Sequence, residues 1–314
     1  MANAVPLLEG TAASGGFLVP DNFNGLVFER GLNRQSAVLG MPGLRVRRVS
    51  GKREKFTEYV GRPTVATVAE AAAKAVTGAE YAEVTLDIVK AATIVMYTQE
   101  LIEDAQDDPT ILINQDVRAA FADYIDSNVL GRNAAGVITS SFNSELSETT
   151  QTVELANTGG DRVAVAVSAA MALVEGNGYT PTGIILAHDA KQHFRDARMA
   201  TETTQQVYSS GEGQFVQPVP TLYSLPVGYT TNLQTIAGTA AAGRVVGVVG
   251  DFSQALLAIR NDIRIKFSDQ ATVDVSATLH HLWQQNKVAS LWESRMGFVA
   301  HDLNRAFAAI INVA

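Results

Sequence analysis

The sequence predicts an α+β fold in which an α/β lobe is inserted into a discontinuous domain of sheet and helix. Three observations predict it. Helix and strand patterns alternate from about 158 to 258. Strand patterns lie on both sides of that stretch, at 44–49 and 84–98 before it and at 259–267 and 288–299 after it. A single long helix pattern stands between the early strands and the lobe. The chain has 314 residues, 46% of them hydrophobic, enough for a sizeable core. Charged residues make up 18%, below the roughly 25% usual in globular domains, so much surface must be covered, internally or by partners.

Along the chain, residues 1–35 are rich in Gly, Ala and Asn, with weak periodicity and one short apolar run, Gly15-Gly16-Phe17-Leu18-Val19-Pro20. An arm without its own core is ordered only when tied down elsewhere. Leu44 to Val49 alternates as a strand, and residues 55–60 read as another. Between about 61 and 82 the residues are small and cannot hold a core, before Val84, Leu86 and Ile88 alternate again. Two strands with a weak tip make a projecting hairpin, marginal alone in water and therefore in need of a partner surface. Residues 92–98 are apolar and β-prone, and 99–105 read as a short helix.

Asp108-Pro109 is a helix start, a capping residue followed by proline at the first helical position. The helix runs to Leu130 and stops at Gly131, with Ile113, Val117, Phe121, Tyr124 and Ile125 along one stripe. Some 22 residues give about 33 Å. Residues 133–157 are polar loops with room for a short strand. A helix follows over 161–175 with Val163, Val167, Ala170, Met171 and Val174 on one face, although its Val-Ala-Val opening also fits a strand. Gly183–Ala187 is a buried strand, 188–198 an amphipathic helix, and 199–221 a polar loop. Strands follow at 226–231 and 244–250. From Ile259 to Phe267, apolar residues alternate with Arg260, Asp262, Arg264 and Lys266, a half-buried strand with a charged face. Residues 288–299 form another strand, and 306–313 a last strand or helix. No internal repeat occurs.

Composition excludes several functions. The formal charge is −8, which disfavours tight binding to phosphates but not a container whose lining repels packed nucleic acid. With no cysteine, disulfides and thiolate metal sites are excluded. The N-terminus lacks a basic region followed by an apolar run, so no signal peptide is expected. No run approaches about 18 apolar residues, so no transmembrane helix is expected.

Motifs that carry chemistry are scarce in the sequence. There is no phosphate-binding G-x-x-x-x-G-K loop, no nucleophile elbow and no H-E-x-x-H; Gly211-Glu212-Gly213 lacks the third glycine of a dinucleotide fingerprint. His188 and His193 are five apart and do not share a helix face; His280 and His281 point opposite ways in a strand; His301 beside Asp302 lacks a nucleophile. Structural roles are expected for all five, and no catalytic residue, cofactor or metal is assigned. Two charge clusters stand out: basic Arg45, Arg47, Arg48, Lys52, Arg53 and Lys55, and acidic Glu100, Glu103, Asp104, Asp107 and Asp108. They read as solvated faces or as complementary charge across a subunit contact, which registers partners more than it adds affinity; a third reading, DNA binding by the basic cluster, is disfavoured by the acidic balance of the chain.

The order of several segments resembles the major capsid protein family of tailed bacteriophages, whose fold is shared with encapsulins and the herpesvirus capsid floor. The early Gly15–Pro20 run is similar to that family's G-G-x-L-V-P segment, and Thr98-Gln99-Glu100-Leu101-Ile102-Glu103-Asp104-Ala105 to its T-x-E-L-[IL]-x-D-A stretch. The long helix follows. Gly250-Asp251-Phe252-Ser253 before Ile259-Arg260 resembles the G-D-F-S segment. Asn286-Lys287-Val288-Ala289, Arg295-Met296-Gly297-Phe298 and Ala306-Phe307-Ala308 resemble the final strands. Each piece is weakly specific; their order over nearly the whole chain is not.

The resemblance implies an N-terminal arm (1–35) and an extended loop (50–92). It also implies a peripheral domain (36–49, 93–157 and 259–314) carrying a spine helix at about 109–131, and an axial domain (158–258). It implies a non-enzymatic subunit that self-assembles into hexamers and pentamers of an icosahedral shell enclosing double-stranded DNA without sequence-specific binding. A portal protein and a decoration protein belong among the implied partners. Because the family-like arm begins within twenty residues of Met1, a fused scaffold is not expected and a separate scaffolding protein is. Some relatives form Lys–Asn crosslinks from the extended loop. Lys74 is the lysine near this loop's tip and joins the candidate contacts, with Asn286 and Asn304 as imaginable acceptors, but no motif supports a crosslink. The alternatives are an encapsulin-type compartment and a soluble α/β enzyme without a familiar motif.

Overall fold

The computed structural model describes residues 36–61, 63–70, 73–74, 76–100, 109–131, 140–156, 162–196, 198–199, 202–206, 221–233, 236, 244–275 and 277–312. The first half holds β1 (Arg45–Arg48), β2 (Arg53–Gly61), β3 (Glu80–Asp87), β4 (Val89–Thr98), α1 (Pro109–Leu130) and β5 (Thr152–Leu155). The lobe adds α2 (Arg162–Gly176), β6 (Gly183–Ala187), α3 (Ala190–Asp196), β7 (Arg198–Met199), β8 (Glu202–Gln206), β9 (Thr221–Leu222), β10 (Leu225–Thr230) and β11 (Val245–Gly250). The chain closes with β12 (Ala255–Ser268), β13 (Thr272–Val275), β14 (Thr278–His281), β15 (Lys287–Ala300), α4 (Leu303–Ala306) and β16 (Phe307–Asn312). The arm at 1–35 and most of the expected helix at 99–105 lie outside the described residues.

Helix α1 forms where its sequence dictates. Proline opens it, and Ile113, Val117, Phe121, Ile125 and Val129 recur every four residues as a buried stripe. Its end is fixed by Gly131, whose φ of +73° only glycine adopts freely, with its N–H donating to the Ser127 carbonyl at 2.9 Å. A side chain there would also collide with Glu145 and Ser147, which fill the space a Cβ would take. Residues 140–142 lie against it. Ser141 N–H donates to Asn128 Oδ1 at 2.8 Å, and the Tyr124 and Phe142 rings meet edge to face at 6.0 Å.

Two sheets organise the rest. One has the order β1-β12-β15-β4, with β12 and β15 a long antiparallel ribbon, β4 antiparallel to β15 and β1 parallel to β12. The other has the order β5-β16-β11-β6-β10-β9. Its centre, β6 and β11, is buried along its whole length, as runs of Ile, Leu and Val without polar alternation require. Helix α2 packs across β5, β16 and β11 through Val163, Val167, Ala170 and Val174, so the segment from Arg162 onward is helix and not strand. One apolar cluster runs through α1, both sheets and α2. Phe252 and Phe307 meet in it edge to face, with centroids 5.5 Å apart.

Several expectations need correction. The last strand, β16, and β5 join the sheet of the α/β lobe, so that sheet extends beyond 158–258 on both sides. It needs them because β11 would otherwise be an exposed apolar edge. β12 starts at Ala255, four residues before the alternation begins, because its first stretch is buried on both faces. Two register shifts, between Ile259 and Asn261 and between Asn261 and Arg264, interrupt the expected alternation. β1 is exposed at all four residues, since it is an edge strand. The 199–221 stretch is not all loop: it holds the short β7–β8 hairpin.

Candidate subunit-contact surfaces

The β2–β3 hairpin leaves the body at a packed root and ends in a naked tip. Leu86, Ile88 and Val49 are buried against Ala258 and Val299, with Phe56, Val84 and Leu256 around them. At Gly297 a Cβ would lie 2.4 Å from the Asp87 carbonyl oxygen, so the ribbon receives the hairpin only because that position carries no side chain. Asp87 then ties the root together. It pairs with Arg53 at 2.6 Å, accepts from Asn143 Nδ2 at 3.2 Å, and its own N–H donates to Asn143 Oδ1 at 2.7 Å. The Arg53 guanidinium, helped by Asn143, holds its carboxyl below the usual range. Beyond the root little is covered: Val65 and Val76 are 100% exposed and Tyr81 is 65% exposed. Lys74 is exposed at this tip.

The basic cluster of the sequence is divided in the structure. Arg48 pairs with Asp262 at 3.1 Å, Arg53 with Asp87, and Lys55 with Glu83 at 2.6 Å. Arg47 lies over the Phe56 ring, 5.5 Å from its centroid. Arg45 and Arg47 line a groove of about 680 Å³ together with Phe56, Val84, Leu256 and His301. Lys52 is exposed, and its carbonyl accepts the Ile88 N–H at the hairpin root. So half of the cluster is neutralised by carboxylates of the same chain. Of the acidic cluster only Glu100 is described, and it accepts from Asn286 Nδ2 at 3.4 Å. Glu103, Asp104, Asp107 and Asp108 lie outside the described residues.

Sequence reasoning missed three features. First, Asp126 on α1 is 2% exposed. Its carboxylate accepts from Ser36 Oγ, from Ala37 N at 2.8 Å and from Val38 N at 3.2 Å. It thereby clamps the first described turn onto the long helix. Burial pushes its pKa up to about 6 despite those donors. Only its placement on the apolar side of α1, one residue after Ile125, hinted at this. Second, the end of the ribbon carries the β13–β14 hairpin, where Trp283 (71% exposed) and Leu279 (59%) face solvent above a small cluster of Met96, Leu282 and Ala289. Third, the bulged middle of the ribbon gathers Arg260, Arg264, Lys266 and Arg295 around a polar cleft of about 460 Å³.

The histidines take local partners. His193 meets the Arg162 guanidinium at 3.3 Å, His280 meets Gln285 at 3.0 Å, and His281 meets Thr272 at 3.0 Å. Asp302 accepts from the Tyr179 hydroxyl at 2.7 Å. Asn304 Oδ1 accepts from the Thr150 N–H at 2.9 Å. Among the described residues no group of three His, Asp or Glu side chains could hold a metal ion, and no helix is long and apolar enough to cross a membrane.

A projecting hairpin, a long helix and an α/β lobe completed by the C-terminal strand form a constellation that comparison can test. The model of the phage capsid family matches residues 15–310. The chain belongs to the phage capsid family. Solved structures share its fold. One from Microbacterium phage Oxtober96 has a TM-score of 0.69 at 18% identity, covering 94% of this chain and 93% of that one. One from Mycobacterium phage Ogopogo has a TM-score of 0.68 at 20% identity, covering 99% and 97%. A structure described as the capsid of a native GTA particle computed with C5 symmetry has a TM-score of 0.63 at 15% identity, covering 95% and 93%. Among curated proteins none matches. The capsid protein is thus a structural component of the virion, a shell subunit rather than an enzyme by family.

Proposed function

We propose that this capsid protein forms the hexamers and pentamers of an icosahedral shell around double-stranded DNA, assembled in the host bacterial cytoplasm. The observation that carries this reading is the β2–β3 hairpin. Its tip exposes Val65 and Val76 completely, in a segment too poor in large apolar groups to make its own core. Such a segment gains its stability from a neighbouring surface, here a second subunit in the same ring. Heterologous contacts that close under rotation generate rings, and rings of five and six close a shell. In this reading residues 50–92 lie over a neighbour, 158–258 meet around the five- and six-fold axes, and 36–49, 93–157 and 259–314 form the surrounding wall. Residues 1–35 are the arm. Arg45, Arg47, Lys52, Lys74 and the acidic run from Glu100 to Asp108 lie at contacts.

A separate scaffolding protein, a portal protein and a decoration protein are the proposed further partners. DNA is enclosed without sequence-specific binding, which suits a chain of net charge −8. Native mass spectrometry of dissociated particles tests the ring reading. With a subunit of 33.4 kDa, six copies give about 200 kDa and five give about 167 kDa. Species at those masses support it, and dimers or tetramers alone contradict it.

A further inference from the structure

The ribbon carries a concentration of positive charge that the chain does not neutralise. The two register shifts in β12 crowd Arg260 and Arg264 toward Arg295 of β15, and with Lys266 they line the 460 Å³ cleft. Glu293 is the one carboxylate among the lining residues, and it is already engaged by Lys90 and by Lys266, the latter at 3.4 Å. Lys90 above all holds its pKa below the ordinary value, so it stays ionised. Arg260, Arg264 and Arg295 make no ion pair among the described residues, and Arg264 and Arg295 are exposed. In a chain of net charge −8, three unpaired guanidiniums in one cleft call for an anionic partner.

We infer that this cleft, rather than the 45–55 cluster, receives the acidic run Glu100–Asp108 of a second copy of the chain. The inference rests on the shell reading only for naming the partner as another copy. Charge complementarity supports it. The run places five carboxylates in nine residues, four of them in the doublets Glu103-Asp104 and Asp107-Asp108, and carboxylates pair with guanidinium forks two bonds at a time. The 45–55 cluster, by contrast, has given Arg48, Arg53 and Lys55 to carboxylates of its own chain. Geometry sets the start of the run apart from the cleft of its own subunit. Thr98, just before the run, pairs with Lys287, whereas Lys90 pairs with Arg295, eight residues away along β4. At about 3.3 Å per residue that is roughly 26 Å, so Glu100, held by Asn286, cannot reach the cleft of its own subunit. Nucleic acid is the less fitting occupant, because the chain as a whole carries a net charge of −8 and the cleft is one compact site rather than a track.

The test is fluorescence anisotropy with a labelled peptide of residues 99–109 and the unassembled full-length chain at low salt. The expected result is saturable binding that weakens at least tenfold in the double variant Arg264→Glu/Arg295→Glu and is lost at high salt. Arg45→Glu/Arg47→Glu should bind as the wild type does. A peptide with its five acids changed to lysine should prefer the reversed cleft. Both pairs are exposed, and circular dichroism verifies that each variant is folded. No binding by the wild type, equal binding by the cleft variant, or loss only in the Arg45/Arg47 variant overturns the inference. So does a labelled DNA duplex that binds the cleft while the peptide does not. Electron microscopy of the wild type reads the shell itself, so a failure of the cleft assignment is distinguishable from a failure of the shell reading.

Discussion

Replacing Asp126 by alanine should change the pH dependence of stability in a direction opposite to that of most carboxylates. The side chain is buried, and its pKa rises from an ordinary 3.8 to about 6. An acid whose pKa is raised on folding binds more protons in the folded state, so stability falls as pH rises between the two values. The difference, about 2.2 units at 1.36 kcal/mol each, is about 3 kcal/mol, lost between pH 3.8 and 6 and constant above. The substitution also strips the Ala37 and Val38 N–H groups of their acceptor, at about 1–3 kcal/mol each where they stay buried. Asp126→Ala should therefore cost about 2–6 kcal/mol near pH 4, and about 3 kcal/mol less near pH 7, where the buried charge goes with it. Urea denaturation of unassembled subunits from pH 4 to 7 measures both curves, and their difference isolates this group from every other carboxylate. Parallel curves, or a wild type that gains stability relative to the variant as pH rises, would refute the reasoning.

Three further outcomes follow from the same geometry. Gly297→Ala should destabilise the subunit by about 1–3 kcal/mol by pushing the hairpin root off the ribbon, read as a shift in urea midpoint at unchanged slope. Replacing residues 62–79 by an Asn-Gly turn should leave the thermal melt of the subunit nearly unchanged, because the described residues of that tip are all exposed, while abolishing shells in electron micrographs. Trp283→Ser at the ribbon's end should change subunit stability by less than about 0.5 kcal/mol while lowering the yield of assembled particles in sedimentation.

Much of this fold was written locally. Proline and a four-residue apolar stripe gave α1 nearly to the residue, and the all-apolar runs at 183–187 and 245–250 gave the centre of the lobe sheet. What was hidden is non-local or polar. The parallel pairing of Arg45 with Leu256 joins residues with most of the chain between them, and nothing near either announces the other. The β13–β14 hairpin is largely exposed, with no buried face to leave a strong periodic signal. Asp126 carries no sequence signal beyond its place beside Ile125; only the turn at 36–38 makes it a clamp. The candidate contact residues divide the same way. Proximity in sequence grouped Arg45 to Lys55 although three of them are neutralised in place. Of the arginine cleft, the alternation at 259–267 showed Arg260, Arg264 and Lys266 as a charged face, but neither Arg295 across the ribbon nor the two bulges that gather them were legible.

The central claim is that this chain builds a closed shell, and negative-stain electron microscopy of the purified chain, alone and co-expressed with a candidate scaffolding protein, tests it most directly. The account predicts hollow shells, or the five- and six-membered rings from which they are made. A monomer or dimer that persists at high concentration under both conditions would contradict it.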